Sequence, residues 1–348
     1  MNQGLSTGIH LSRRRFLVTA AAFAGAAVSC GGDNGGDFPQ NTPGPRAADT
    51  TTTPEPRDPI PVATELRVAY INLLSPIATD SNNTVPGETF AQRLDALIEE
   101  LKVFKPDIVG FSEVFWKAKL GSARTILVDG LKMEPQYARA NPWILGQSKE
   151  ESDQTSKLYG FEEGELLLVR RPLTFIEAKR WQLNPRNSES EGRVCLHAVV
   201  QAPDPLGRID VYLTHLTSDN EKTRQAQAAD VVTVVQKTRS LGPTIILGDF
   251  NDTPDSATIS SVTAAGFKDI AVVAAGDPGF PTCCRETVLG EQPPLTARTD
   301  FILTDRLGWH PTVSLFAHEP KKRADGTYLY ASDHNGLKAV FPLKIVEQ

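Results

Sequence analysis

The feature that most limits what this chain can fold into is a series of short, nearly unbroken apolar runs, each beginning or ending in a carboxylate, an amide or an imidazole. Leu66 to Ile71 runs into Asn72, Ile108 to Phe111 into Ser112-Glu113, Arg208 to Thr214 into His215, and Thr244 to Leu247 into Gly248-Asp249-Phe250-Asn251. Asp300 precedes Phe301-Ile302-Leu303, and Asp333-His334 precedes Leu337 to Phe341. Runs of this length, without polar alternation, fit strands covered on both faces. Glu165 to Val169 and Arg193 to Gln201 are further strand candidates. Two segments carry helical signals instead. In Thr89 to Phe104, residues Phe90, Leu94, Leu97, Ile98 and Leu101 form a stripe that Pro106 stops, and Asn220 to Arg239 is the second helix. Strands and helices in alternation predict an α/β domain. Side chains at the ends of rigid strands are well aimed, and eight polar groups sit at such ends.

The folded part does not begin at residue 1. Arg13-Arg14-Arg15-Phe16-Leu17 is followed by a mostly apolar run from Val18 to Val28. A basic stretch before a short apolar run has the form of an export signal, and a run of eleven residues falls short of the roughly 20 that a spanning helix needs. The paired arginines resemble a twin-arginine signal. Ala27-Val28-Ser29-Cys30-Gly31 resembles a bacterial lipobox, with Cys30 as the lipidated residue after cleavage. Residues 31–63 are rich in Gly, Pro and Thr and poor in apolar side chains, so they read as a disordered tether. The expected organisation is an export signal over 1–29, a lipidated Cys and linker over 30–63, and one catalytic domain over 64–348. The location that follows is the bacterial cell envelope, lipid-anchored, or otherwise periplasmic or secreted.

Charge narrows the partners. The chain of 348 residues carries a net charge of −6. Residues 1–29 contain three arginines and no acid, so the mature chain is at −9. A broad basic surface for tight duplex binding is therefore not expected, although a bound cation can supply positive charge locally.

The polar strand ends, with their neighbours, spell a pattern. Tyr70-Ile71-Asn72, Asp107 to Val114, Thr214-His215-Leu216, Gly248-Asp249-Phe250-Asn251, Arg298 to Ile302 and Ser332 to Gly336 occur in that order across residues 66–342. Together they resemble the endonuclease/exonuclease/phosphatase family, which includes secreted DNases, abasic-site endonucleases, inositol-phosphate 5-phosphatases and neutral sphingomyelinases. There are departures: Ser112 stands where Gln is common, Thr299 where Ile is usual, and Leu74 where some members carry a second metal-associated Asp.

The resemblance implies a two-sheet α/β sandwich (DNase I-like) with helices on the outer faces, and a divalent-metal-dependent phosphoester hydrolase. Mg²⁺ is the implied ion, with Mn²⁺ or Ca²⁺ as alternatives, and oxygen donors suit such a hard cation. It assigns Glu113, Asn72 and Asp333 to the metal. Asp249 is placed to activate or orient the attacking water, Asn251 to donate to a phosphate oxygen, and His334 to contact the scissile phosphate, held by Asp300. His215 is placed near the phosphate or the leaving oxygen. Glu163, before the strand Glu165–Val169, matches a Glu that supports the first His, although Glu162 and Glu165 stand equally well in that place. The substrate is a phosphoester of nucleic acid or of a phospholipid or sphingomyelin head group. The other partner is the membrane, through Cys30, and no protein partner is expected. The alternative is an inactive family member serving as a binding module in the envelope.

Other residues read as structural. His197 lies inside a strand and is expected to be a satisfied core or edge histidine, and His310 and His318 carry no motif. Lys321-Lys322-Arg323 is either a solvated loop or a short basic patch for anionic substrate. Trp116 and Trp143 are either packing residues or part of a groove wall. With Cys30 lipidated, Cys195, Cys283 and Cys284 remain, so one disulfide and one free thiol are expected: Cys195 with either neighbour, or a vicinal Cys283–Cys284 bond.

Overall fold

The computed structural model describes residues 63–76, 89–142, 148–184, 192–275, 279–306 and 310–343. The expected export signal, Cys30, nearly all of the expected tether and Trp143 lie outside the described residues. In chain order the first elements are β1 (Glu65–Asn72), α1 (Phe90–Phe104), β2 (Ile108–Lys117), β3 (Gly121–Ser122), α2 (Ala123–Leu131), β4 (Glu134–Asn141), α3 (Lys149–Tyr159), β5 (Phe161–Val169), β6 (Thr174–Gln182) and β7 (Val194–Gln201). They are followed by β8 (Arg208–His215), α4 (Glu221–Thr238), β9 (Thr244–Asp249), α5 (Ala257–Ala264), β10 (Lys268–Asp269), α6 (Ile270–Ala275) and β11 (Asp300–Asp305). The chain closes with β12 (Thr312–Phe316), β13 (Lys321–Lys322), β14 (Tyr328–Leu329) and β15 (Gly336–Pro342).

Two mixed sheets result. One has the order β12-β15-β1-β2-β5-β4, with β3 attached to β2; the other has the order β10-β11-β9-β8-β7-β6. Each has one parallel pair, β1 with β2 and β8 with β9. Parallel neighbours need a crossover, and α1 and α4 lie in those two connections.

Alternation along the strands builds the layers. Leu66, Val68 and Tyr70 of β1 lie in the same cluster as Leu213, Ile245, Leu247 and Ile302 of the other sheet. The intervening Ala69 and Ile71 cluster with Leu94, Leu97 and Leu101 of α1 and Leu127 of α2. In the second sheet Tyr212, Ile246 and Phe301 cluster with Val231 and Val235 of α4 and Ile259 and Val262 of α5. Central strands are thus apolar on both faces, which is why they read as unbroken runs. Each fully buried Leu or Ile contributes about 1.5–3 kcal/mol. The two-sheet α/β sandwich with helices on its outer faces is the architecture observed. Among the described residues no helix is long and apolar enough to cross a membrane.

Several elements differ from the sequence expectation. β5 begins at Phe161, so Glu163 lies inside the strand rather than before it. β4 and β6 are edge strands of mixed exposure with several charged side chains, a pattern that limits edge-to-edge pairing and hides the strand signal. α3 is almost wholly polar, and a Ser148–Glu151 capping box opens it. His197 is buried and bonded to Asp210 at 2.8 Å, as a satisfied core histidine. The basic run forms β13 and its turn: Lys321 pairs with Glu99, and Arg323 with Asp325 at 3.3 Å.

Gly164 marks where backbones crowd. A Cβ there would lie 2.1 Å from the Ala138 carbonyl oxygen of β4. Gly164→Ala is expected to lower stability by about 1–3 kcal/mol through this overpacking. Chemical denaturation checks it, and an unchanged midpoint would mean that β4 does not lie so close to β5.

Candidate active site

Strand register brings the polar ends together. Asp249 of β9 is paired with His215 of β8 on one side and with Asp300 of β11 on the other, so three site residues lie abreast on adjacent strands. In the facing sheet Asn72 of β1 pairs with Ser112 of β2, immediately before Glu113. The Asn72 side-chain amide donates to Asp249 Oδ2 and to Glu113 Oε1, both at 3.0 Å, and so ties the two sheets together at their polar ends.

Glu113 is aimed by an irregularity. The β2–β5 ladder slips between Phe111 and Val114, and Glu113 has a φ of 55°. A bulge re-aims one side chain, and a left-handed non-glycine residue costs about 1–3 kcal/mol, which the surroundings must hold in place. Here the Ser75 N–H donates to Glu113 Oε2 at 2.6 Å. Asn251, at φ 51°, closes a turn in which its N–H donates to Asp249 Oδ1 at 2.9 Å. Its side-chain amide then donates to His215 Nε2 at 2.9 Å and to the Leu216 carbonyl at 2.8 Å. The Asp-x-Asn sequence is therefore both a turn and a link to His215.

His334 completes the cluster. Its Nδ1 lies 2.8 Å from Asp300 Oδ2, leaving Nε2 at 3.7 Å from Asp249 Oδ2 and 3.4 Å from Cys284 Sγ. The Ser332 hydroxyl donates to the Asn72 carbonyl at 2.6 Å, and the His334 N–H donates back to Ser332 Oγ. Burial opposes charge on His334, but Asp300, Asp333 and Asp249 outweigh it and hold the ring up at about 10. Burial, then Asp300, pushes Asp249 up to about 7 against His334 and the two amide donors. His215 is held well below its usual value by burial, with Arg193 and His334 adding to the effect. Two buried imidazoles in one site are thereby pushed to opposite protonation states. The Asn251 amide donates to His215 Nε2, which leaves the proton of a neutral ring on Nδ1.

Sequence reading missed the supports. Arg93 of α1, 1% exposed, donates to the carbonyls of Leu73, Leu74 and Ala331 at 2.8–3.1 Å, clamping the end of β1 to the segment before Ser332. Burial lowers its pKa to about 10 while Asp333 and Glu113 resist, so both carboxylates act on one guanidinium. Its signal was present: position 93 falls on the same face as Phe90 and Leu97, a charge in an apolar stripe. Beneath the site the Tyr70 hydroxyl donates to Ser112 Oγ at 2.7 Å, and Ser112 donates to Glu165 Oε2 at 2.6 Å. Glu163 lies on the same face of β5 and is also buried. Burial pushes Glu165 up to about 8, with Glu163 adding to the shift and Arg193 opposing it. Cys283 and Cys284 are disulfide-bonded to each other, and Cys195 is a buried free thiol.

With this geometry in view, a family model matches. Residues 71–334 fit the endonuclease/exonuclease/phosphatase family. The chain belongs to that family. Solved structures of similar fold include an endonuclease/exonuclease/phosphatase family protein from Bacteroides thetaiotaomicron (16% identity, TM-score 0.60, 81% of this chain and 99% of that one). A mannosyl-6-phosphatase from the same organism aligns at 16% identity and TM-score 0.59, over 80% of this chain and 100% of that one. The human Nocturnin catalytic domain with bound sulfate aligns at 16% and 0.56, over 82% and 96%. No curated protein gives a significant match. Members of the family are phosphoesterases and nucleases that typically use a divalent metal, and the residues here fit one. Glu113, Asn72 and Asp333 offer only oxygen donors, as a hard cation prefers. Asp249, Asp300 and His334 bring their ligand atoms within 4.8 Å of one another. Glu113, Asp249, Asp300 and Asp333 gather at the strand ends, and a dication would offset their mutual repulsion.

Glu165 links the buried network to stability. Between its ordinary 4.5 and about 8, the folded chain keeps a proton that the unfolded chain has lost, so stability falls as pH rises through that window. The slope from this group approaches about 1.4 kcal/mol per pH unit. Urea unfolding of Glu165→Gln from pH 5 to 8 is expected to show that slope removed. An unchanged slope would mean that Glu165 is ionised in the fold.

Proposed function

We propose that the chain is a divalent-metal-dependent phosphoester hydrolase, most specifically a phosphodiesterase, acting outside the cytoplasm on nucleic acid or on phospholipid or sphingomyelin head groups. The observation that carries this reading is the buried Asp300–His334 pair with Asp249 facing the other ring nitrogen, Nε2, at 3.7 Å. Glu113, Asn72 and Asp333 are the residues that would hold Mg²⁺, which supplies positive charge to the phosphate and the leaving oxygen when bound. His334, kept cationic by its carboxylate neighbours, donates from Nε2 to the phosphate. Asp300 fixes the ring through Nδ1. Asp249, with its affinity for a proton raised into the neutral range, accepts the proton of the attacking water. Asn251 holds neutral His215 in place, and because its amide donates to His215 and to the Leu216 carbonyl, the donation to a phosphate oxygen that the resemblance implies is not available in this arrangement. Glu163 and Glu165 are both buried in β5, but the Glu165 carboxylate accepts from Ser112 and His215 Nδ1 has no hydrogen-bond partner among the described residues, so the support of His215 that the resemblance assigns to Glu163 is not made in this structure. The chain's acidity argues against tight binding of long duplexes.

The test is a panel of plasmid DNA, RNA, sphingomyelin, phosphatidylcholine, an inositol polyphosphate and bis-p-nitrophenyl phosphate, each with Mg²⁺ or EDTA. Cleavage of one class is expected, abolished by EDTA and reduced in Asp249→Ala and His334→Ala by on the order of 10²–10⁴, the worth of a positioned acid or base. Silence on every ester, with metal bound, would move the chain to the binding-module reading.

The same reading places the domain in the bacterial envelope, with residues 1–29 as a twin-arginine export signal, Cys30 as lipid anchor and residues 31–63 as tether. The support is the Arg13-Arg14-Arg15-Phe16-Leu17 and Ala27 to Gly31 patterns. Expressed in a bacterium fed radiolabelled palmitate, the full chain is expected to take up label and fractionate with membranes, and Cys30→Ser to do neither. Equal labelling of both would refute the anchor.

A further inference from the structure

A four-residue strap, Thr282 to Arg285, runs between the Asp300 strand and the His334 loop. The Thr282 hydroxyl accepts from the N–H groups of Thr299 and Asp300, both at 3.2 Å, and the Cys283 N–H donates to the Ala297 carbonyl at 3.0 Å. On its other side the strap meets the His334 loop: the Asn335 N–H donates to the Thr282 carbonyl at 2.8 Å, and the Arg285 N–H donates to the Asp333 carbonyl at 2.9 Å. The Arg285 side chain stacks on Tyr330 at 4.0 Å and donates to the carbonyls of Ser332, Asp333 and His318 and to Asn335 Oδ1. The strap is therefore pinned on both sides, and it carries the Cys283–Cys284 disulfide.

The two sulfurs are not equivalent. Cys283 is 4% exposed, whereas Cys284 is exposed to solvent and its Sγ lies 3.4 Å from His334 Nε2. That is the ring nitrogen not engaged by Asp300. A thiolate attacks whichever sulfur it can reach, and here that is Cys284. We propose that Cys284 is a thiol-exchange site, and that a small thiol joined to it covers the Nε2 face of His334 and shuts off phosphate contact. The proposal rests on the reading of His334 as the group that contacts the phosphate.

The chemistry balances with small thiols as the reductant. A thiolate RS⁻ attacks Cys284 Sγ; the R–S–Sγ bond forms, the Sγ–Sγ bond breaks, and Cys283 leaves as a thiolate that takes a proton from water. A second RS⁻ attacks the R-bearing sulfur, releases RSSR and leaves Cys284 as a thiolate. Two electrons pass from two thiols to the disulfide. The adduct stage blocks the site, and the fully reduced stage opens it. Disulfides persist outside the reducing cytoplasm, so the exported enzyme would meet thiols as a change of surroundings.

Two readouts test this on the purified chain, with glutathione as the thiol. Peptide mapping without reduction is expected to find Cys283 joined to Cys284 before treatment and glutathione on Cys284 afterwards, with Cys195 unmodified. With ¹⁵N-labelled histidine, the His334 resonances are expected to shift on adduct formation, which needs no substrate and stands even if no phosphoester is cleaved. On a cleaved substrate, the adduct is expected to lower kcat/KM on the order of a hundredfold, the loss of one charged donor to the phosphate, with recovery in excess dithiothreitol. The Cys283→Ser/Cys284→Ser variant is expected to give the same rate with and without glutathione. Alkylatable thiols at Cys283 and Cys284 in the untreated chain would overturn the proposal. So would adduct formation at Cys283 instead, or a Cys284 adduct that leaves the His334 resonances and the rate unchanged.

Discussion

One hydrogen-bonded side chain joins the two halves of this molecule at the point where they must agree. The Asn72 amide reaches from the end of β1 to Asp249 at the end of β9, and to Glu113 beside it. All three are groups that water would solvate well, and a buried donor or acceptor without its partner costs about 1–3 kcal/mol. Packing between the sheets is set by apolar area and is not directional. The polar ends are directional, so they fix how the sheets meet. Arg93 fixes the first sheet's side of the junction by gathering three backbone carbonyls from two segments far apart in sequence.

The junction creates an electrostatic problem that becomes the site. Carboxylates withdrawn from water repel one another, so Asp249 and Asp300 on paired strands cannot both be comfortable as anions. The fold answers unevenly. Asp300 is matched by His334, which is held cationic, while Asp249 is left with a raised proton affinity. His215, a few ångströms from the same carboxylate, is driven neutral. Groups of identical chemistry thus take different protonation states by position, which separates acid from base in a small space.

Legibility followed burial and periodicity. Central strands such as β9 and β11 were plain because both faces are covered, and α1 because its stripe is regular. Edge strands β4 and β6 and the polar helix α3 were invisible, since no continuous face of theirs is buried. Of the site, Asn72, Asp249, Asn251, Asp300 and His334 stood out at strand ends, and the structure brings them into direct contact or within one residue of it. Arg93 was hidden because a helical stripe is read for apolar residues, and a charge within it looks like noise. Glu165 was legible as an alternative to Glu163, but its bond to Ser112 was not, because the start of β5 at Phe161 carries no apolar run. Nothing in Thr282-Cys283-Cys284-Arg285 announced that Cys284 would face His334.

The sequence by itself determined the alternation of strands and helices, the family and the chemical types gathered for the site, because these depend on the local order of apolar and polar residues. Tertiary structure alone decided which imidazole is charged, which carboxylate accepts a proton, and which sulfur meets solvent. Those properties depend on burial and on charges brought within a few ångströms from distant parts of the chain. Burial and proximity are set by how two sheets and a strap come together, and no local stretch of sequence contains that information.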